Sequence, residues 1–171
     1  MSGTSDDSHS RIERSATGDA GLFETLYPGL RRFAAAVGPS EMDPDDLVQE
    51  ALSRALTRGR LCDLREPGAY LRVAIVRLAS NERRRLGRWR RALPRAAPVE
   101  EPWASDYPSD LDDLARLSPE DRALLYLTVV EAVPLGEVAQ LLGSSEGAMR
   151  MRRHRALRVL RNALEKEEQD G

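Results

Sequence analysis

The stretch from Leu117 to Leu164 reads LSPEDRALLYLTVVEAVPLGEVAQLLGSSEGAMRMRRHRALRVLRNAL, and its punctuation predicts three successive helices. Ser118-Pro119-Glu120-Asp121 is a helix start: a hydroxyl cap, a proline at the first helical position and acids against the positive end of the dipole. One short helix follows from Arg122 to Val130. Pro134 opens the next, Leu135 to Leu142, which Gly143 ends. Ser145 then caps a long helix running from Glu146 to about Glu165. A short helix, a glycine-containing turn and a longer basic helix form the order of a helix-turn-helix.

In the last of these helices, Met149, Ala156, Leu160 and Leu164 fall along one side. They are expected to pack on Leu124, Leu125, Leu127, Val138 and Leu141. Arg150, Arg152, Arg153 and Arg155 fall early in the same helix, where a recognition helix enters the major groove. Arginine suits that position because its rigid fork spans guanine O6 and N7, or a phosphate. The plainer alternative is a helical hairpin whose arginines solvate a surface. Six bases on one helix exceed what solubility needs, which favours DNA.

Upstream, the same logic predicts a second helical unit. A first helix spans about Asp19 to Val37, with Leu22, Phe23, Leu26, Leu30, Phe33 and Ala34 at three- and four-residue spacings. Pro28 is expected to kink or divide it. A second begins at Pro44 behind an Asp43 cap, with Leu47, Val48, Ala51, Leu52, Ala55 and Leu56 as its buried side. Asp46, Gln49, Glu50 and Ser53 are left more exposed. A third starts after Pro67 and runs through Tyr70, Leu71, Ala74, Ile75 and Leu78 into a run of arginines. Three amphipathic helices enclose one small core over about residues 18–92.

Hydrophobic residues make up 41% of the 171-residue chain and aromatics only 5%, with Leu and Ala dominating. That bias favours helix over strand. The net charge of -2 argues by itself against a polyanion partner, but the charges are segregated. From Arg72 to Arg95 nine arginines face one acid, Glu82. From Val99 to Leu114 there are six acids and no base, and from Glu146 to Arg161 six arginines face one acid. Local fields, not the sum, attract a polyanion.

The run ERRRLGRWRRALPR, Glu82 to Arg95, offers Arg83, Arg84, Arg85, Arg88, Arg90 and Arg91 to phosphates and Trp89 to an unpaired base. A solvated basic helix end with a structural Trp is the alternative. Pro94, Pro98, Pro102 and Pro108, interleaved with acids, predict a flexible acidic linker. The expected organisation is therefore all-α. It comprises a disordered tail (residues 1–17), a first domain (18–93), the linker (94–113), a helix-turn-helix domain (114–166) and a short tail (167–171).

Enzymatic chemistry finds little support. Asp46 and Glu50 share a helix face and could hold a metal, yet no histidine lies nearby, and Asp43 and Asp45 serve as cap and dipole partner. Neither His154 nor the single cysteine, Cys62, has a second group at catalytic spacing. The expectation is a non-enzyme with no metal and no cofactor. One cysteine allows no internal disulfide. No apolar run approaches a membrane span and the polar start does not resemble a signal peptide, which predicts a cytoplasmic location without membrane insertion.

Taken together, these motifs resemble the extracytoplasmic-function sigma factors of bacterial RNA polymerase, which carry only regions 2 and 4. PDDLVQEALSRAL (Pro44 to Leu56) resembles region 2.2, AYLRVAIVRLASNERRR (Ala69 to Arg85) regions 2.3 and 2.4, and Leu117 to Leu164 region 4. The resemblance covers about residues 18–92 and 114–166. It implies that Asp46, Gln49 and Glu50 dock on the β' clamp helices of core polymerase, with the β subunit a further contact. It implies that Arg72, Arg77, Asn81, Arg84, Arg85 and Arg88 meet the -10 element. Ser145, Glu146, Ala148, Arg150, Arg152, Arg153 and His154 would meet the -35 element. Promoter DNA and core polymerase are the implied partners of a factor that is monomeric in the holoenzyme, and an anti-sigma protein is a further candidate.

Some positions depart from the family pattern. Arg77 stands where Asn is usual, Ala148 where Thr is common, Met149 where Val is common, and Arg153 where Leu or Thr is frequent. Leu56 takes a place often held by Trp. These changes bear on promoter sequence rather than on class. An autonomous helix-turn-helix regulator and a small metal-dependent hydrolase remain the competing readings; binding to core polymerase separates a sigma factor from the regulator, and metal-dependent turnover would rescue the hydrolase.

Overall fold

The structure, a computed structural model, describes residues 5–92 and 116–170, and every described element is helical. The expected linker lies outside the described residues. Helices α1 (Ser5–Val37), α2 (Pro44–Leu56) and α3 (Pro67–Ala92) make the first unit, with a 3-10 turn at Leu61–Asp63 between the last two. Helices α4 (Pro119–Leu125), α5 (Leu135–Leu141) and α6 (Glu146–Asp170) make the second, with a π-helical turn, Tyr126–Val130, closing α4.

Local chemistry explains most of the boundaries. Asp43 caps α2 by accepting the Asp45 backbone N–H at 2.8 Å, and Pro44 takes the first helical position. Ser118 caps α4 in the same way, accepting from the Asp121 N–H at 3.1 Å. Ser145 Oγ accepts from the Ala148 N–H at 3.2 Å and starts α6. Gly143, at φ +67°, turns the chain between α5 and α6, a left-handed conformation that glycine adopts without strain.

Helix α1 runs from Ser5 to Val37 as one element, so Pro28 does not divide it; losing one ladder bond does not end a helix that is packed on both sides of the break. Two expectations need correction. The helix expected over Arg122 to Val130 is α only to Leu125 and π beyond it, where the Glu131 N–H bonds to the Tyr126 carbonyl at 3.1 Å. Leu56, assigned to the buried side of α2, is 46% exposed at the last residue of the helix, although Ala55 beside it is buried.

The first unit packs around Leu30, Phe33, Leu47, Ala51, Leu71 and Ile75. Within the second, Met149 packs with Leu124, Leu127 and Val138, and Ala156 packs separately with Leu117 and Leu125. The described side chains do not form two separate cores. Phe33, Val37, Val76 and Ala79 belong to the same apolar cluster as Ala123, Leu124 and Leu127, so α4 closes over a second face of α1 and α3. Across this seam Tyr126 meets Phe33 edge-on, ring centroids 5.5 Å apart.

Candidate nucleic-acid interface

Helix α3 carries two polar stripes with different fates. Arg77, Asn81, Arg84 and Arg88 recur at three- and four-residue spacing and are all exposed, as is Arg85 beside them. Arg84 donates to Asn81 Oδ1 at 2.7 Å, and Arg85 forks onto both oxygens of Glu82. That pairing raises the Arg85 guanidinium above its ordinary pKa and keeps it cationic. Trp89, next to Arg88, is 56% exposed. The side chains of Arg90, Arg91 and Arg95 lie outside the described residues.

Arg72 belongs to the other stripe. It pairs with Glu131 of the second unit at 2.9 Å and sits over the Phe33 ring, 5.9 Å from its centroid. Ser80 donates to Glu120 Oε1 at 2.6 Å, and Arg83 reaches the Leu117 carbonyl. Five of the six residues expected to meet the -10 element thus share one solvent-facing surface, while Arg72 faces a protein partner.

The N-terminal half of α6 divides similarly. Ser145, Glu146, Ala148, Arg150 and His154 are exposed, and Arg153 is half-buried. Arg150 holds Glu146 at 2.7 Å across one turn, an exposed pair of small energetic weight. Arg152 is different: it bonds Asp121, and Ser118 Oγ at 3.1 Å, tying α6 to the start of α4. Its position was legible in advance. Arg152 lies three residues after Met149 and four before Ala156, on the very stripe expected to be buried.

On α2, Asp46, Gln49 and Glu50 are exposed as expected, with Glu50 held by Arg54 at 2.6 Å. Gln49, Leu52, Ser53, Leu56 and Thr57 line a shallow apolar groove beside them. Asp45, one residue earlier, is structural: it accepts from the Tyr27 hydroxyl at 2.6 Å and from Arg31 at 2.9 Å, locking α2 to α1. The Asp45 hydrogen bond pushes the Tyr27 phenol up. Among the described residues no group of three or more His, Cys, Asp or Glu side chains could hold a metal ion, and no helix is long and apolar enough to cross a membrane.

Comparison with known proteins matches this geometry. The family model for sigma-70 region 2 covers residues 22–90, and that for sigma-70 region 4 covers residues 114–162. The RNA polymerase sigma-E factor of Streptomyces avermitilis is 34% identical over 86% of this chain and 85% of its own length. The chain belongs to the sigma-70 family, in its extracytoplasmic-function subfamily. A second relative of this factor, the extracytoplasmic-function sigma factor SigL of Mycobacterium tuberculosis, is 28% identical over 91% of the chain and 96% of its own length. A similar fold is seen in the sigma factor RpoE of Bartonella quintana, solved with the anti-sigma factor NepR. Its TM-score is 0.62 at 19% identity, covering 85% of this chain and 96% of that one. The exposed α3 stripe lies inside the region 2 match and the start of α6 inside the region 4 match, so each unit carries its own basic face.

Proposed function

We propose that this sigma factor docks on core RNA polymerase through the α2 face of Asp46, Gln49 and Glu50, against the β' clamp helices. The exposed stripe of Arg77, Asn81, Arg84, Arg85 and Arg88 then engages the -10 element as it opens. The start of α6, with Ser145, Glu146, Ala148, Arg150, Arg153 and His154, reads the -35 element. The factor works as one copy per holoenzyme, in the cytoplasm where polymerase and promoter DNA meet. That the Bartonella protein was solved with an anti-sigma factor supports a partner of that kind here.

The observation that carries this reading is the separation of an exposed acidic and apolar face on α2 from two exposed arginine-rich faces on different units. A regulator acting on duplex DNA alone has no need of the first. Reversing charge with Asp46→Lys and Glu50→Lys is expected to weaken binding to purified core at least tenfold while leaving far-ultraviolet circular dichroism unchanged, because neither side chain supports the core. An unaltered binding curve would remove the assignment of that face.

A further inference from the structure

Between Glu146 and Arg161, six arginines share α6 with a single acid, Glu146. That acid stands on the surface read above as facing DNA, where a carboxylate repels every phosphate. Its place in the first turn, against the positive end of the helix dipole, accounts for its charge. It does not account for where the side chain lies. Glu146 Oε1 accepts from Arg150 Nη2 at 2.7 Å, and a Cβ placed on Gly136 would stand 3.3 Å from Glu146 Oε2. The carboxylate is thus set between α5 and Arg150, and both side chains stay open to solvent, 65% for Arg150 and 52% for Glu146.

Together the two side chains offer a row of hydrogen-bonding groups. Glu146 takes one of the several N–H donors of the Arg150 guanidinium, and its Oε1 keeps a second lone pair. Read across, the row is donor, donor, acceptor. In the major groove a G·C pair presents the complementary row: guanine N7 and O6 accept, and cytosine N4–H donates. Guanine O6 and cytosine N4 are themselves joined by a hydrogen bond of about 2.9 Å. That spacing is close to the 2.7 Å between Arg150 Nη2 and Glu146 Oε1. Donor and acceptor can therefore lie edge to edge on the two bases of one pair with their own bond intact. An A·T pair breaks the match, setting the adenine amino group against Arg150 and thymine O4 against the carboxylate. A C·G pair presents the row in reverse.

We propose that Glu146 and Arg150 read both bases of one G·C pair in the -35 duplex, Arg150 on the guanine and Glu146 on the cytosine amino group. Glu146 is then a specificity-determining residue. It weakens the hold on DNA in general and selects against any base that sets an acceptor in the place of cytosine N4. The inference rests on the reading of α6 as the -35 helix and not on the docking of α2 to polymerase.

Selection from randomised duplexes by the full chain, with purified core and again without it, tests the inference. The unsubstituted chain should select one G·C pair whose preference Glu146→Ala and Arg150→Ala both lose. On the selected duplex, 7-deazaguanine removes guanine N7, and N4-methylcytosine replaces the amino hydrogen that faces the groove. Each should weaken binding by roughly tenfold, the weight of one good base contact. Glu146→Ala should be indifferent to N4-methylcytosine yet still respond to 7-deazaguanine, and it should bind unrelated duplexes at least as tightly as the unsubstituted chain. Both side chains are exposed, so the two variants should melt as the parent does. A Glu146→Ala chain that keeps the cytosine preference, or an unsubstituted chain indifferent to N4-methylcytosine, would overturn the inference and leave α6 as the -35 helix. The same G·C pair selected by a chain that forms no complex with core would refute the polymerase reading and leave the base-pair contact standing. A chain that selects no sequence under either condition would overturn both.

Discussion

Arg150 and Ala132 show how differently a single residue can matter here. Arg150 is exposed, one turn into α6, and held only by Glu146, so releasing it to DNA costs a few tenths of a kcal/mol. If it forks onto a base, Arg150→Ala in the holoenzyme should lose about 1–3 kcal/mol on the preferred -35 duplex and relax selection at one position. Equal losses on matched and single-mismatch duplexes would make it a phosphate contact instead. Ala132 lies at φ +53°, in the left-handed region that costs a residue with a Cβ about 1–2 kcal/mol. Ala132→Gly should therefore raise the thermal midpoint by a few degrees. Gly38→Ala should act in the opposite direction. Its Cβ would stand 2.6 Å from Leu47 Cδ1 and 2.8 Å from the Ala34 carbonyl oxygen, an overpacking cost of about 1–3 kcal/mol. A melting curve of each variant decides both.

At the level of elements, the joint between α4 and α6 sets how the recognition helix is presented. Arg152 bonds the Ser118 hydroxyl, which is also the α4 cap, and Asp121, whose N–H that cap receives. Cap, first turn and recognition helix thus form one polar cluster, about a third exposed at Arg152 and less at Asp121. Arg152→Ala is expected to lower stability by about 1–2 kcal/mol, a charge-assisted hydrogen bond partly shared with water. Its effect on DNA should be a uniform loss across sequences rather than a change of preference. Unchanged melting together with altered -35 preference would return Arg152 to the base-reading set. The contrast with Arg150 is one of helix phase: the two lie on opposite sides of α6 although only one residue separates them.

For the whole molecule, the consequential fact is that α4 is shared. It packs on α6 on one side and on α1 and α3 on the other, with Phe33 at the centre, fully buried and edge-on to Tyr126. Because α4 shares one apolar cluster with α1 and α3, a protease site inserted between Ala92 and Arg116 should yield two fragments that co-elute in gel filtration after cleavage. The same cleavage in the Glu131→Lys chain should yield fragments that separate. Fragments that part at once in the unsubstituted chain would show that this packing is too weak to hold the two units together.

Sequence alone determined where the capped elements start, because those signals are local. Asp43-Pro44, Ser118-Pro119 and Gly143 to Ser145 act through their own backbone neighbours, and the capped helices begin where those residues place them. It determined the exposed faces of α2, α3 and α6 as well, since helical phase is a property of spacing. Tertiary structure decided which arginines are available. Arg72, Arg83, Arg122 and Arg152 are chemically the same as Arg77, Arg84 and Arg150, and each lies in an arginine-rich or helix-turn-helix stretch. For Arg72, Arg83 and Arg122, only the packing of α4 against α1 and α3 supplies Glu131, the Leu117 carbonyl and the Gly38 carbonyl as partners. Those partners lie 59, 34 and 84 residues away along the chain, beyond the reach of any local pattern. A helix's periodicity says that it has a buried face; how many neighbours will cover it is decided by the fold.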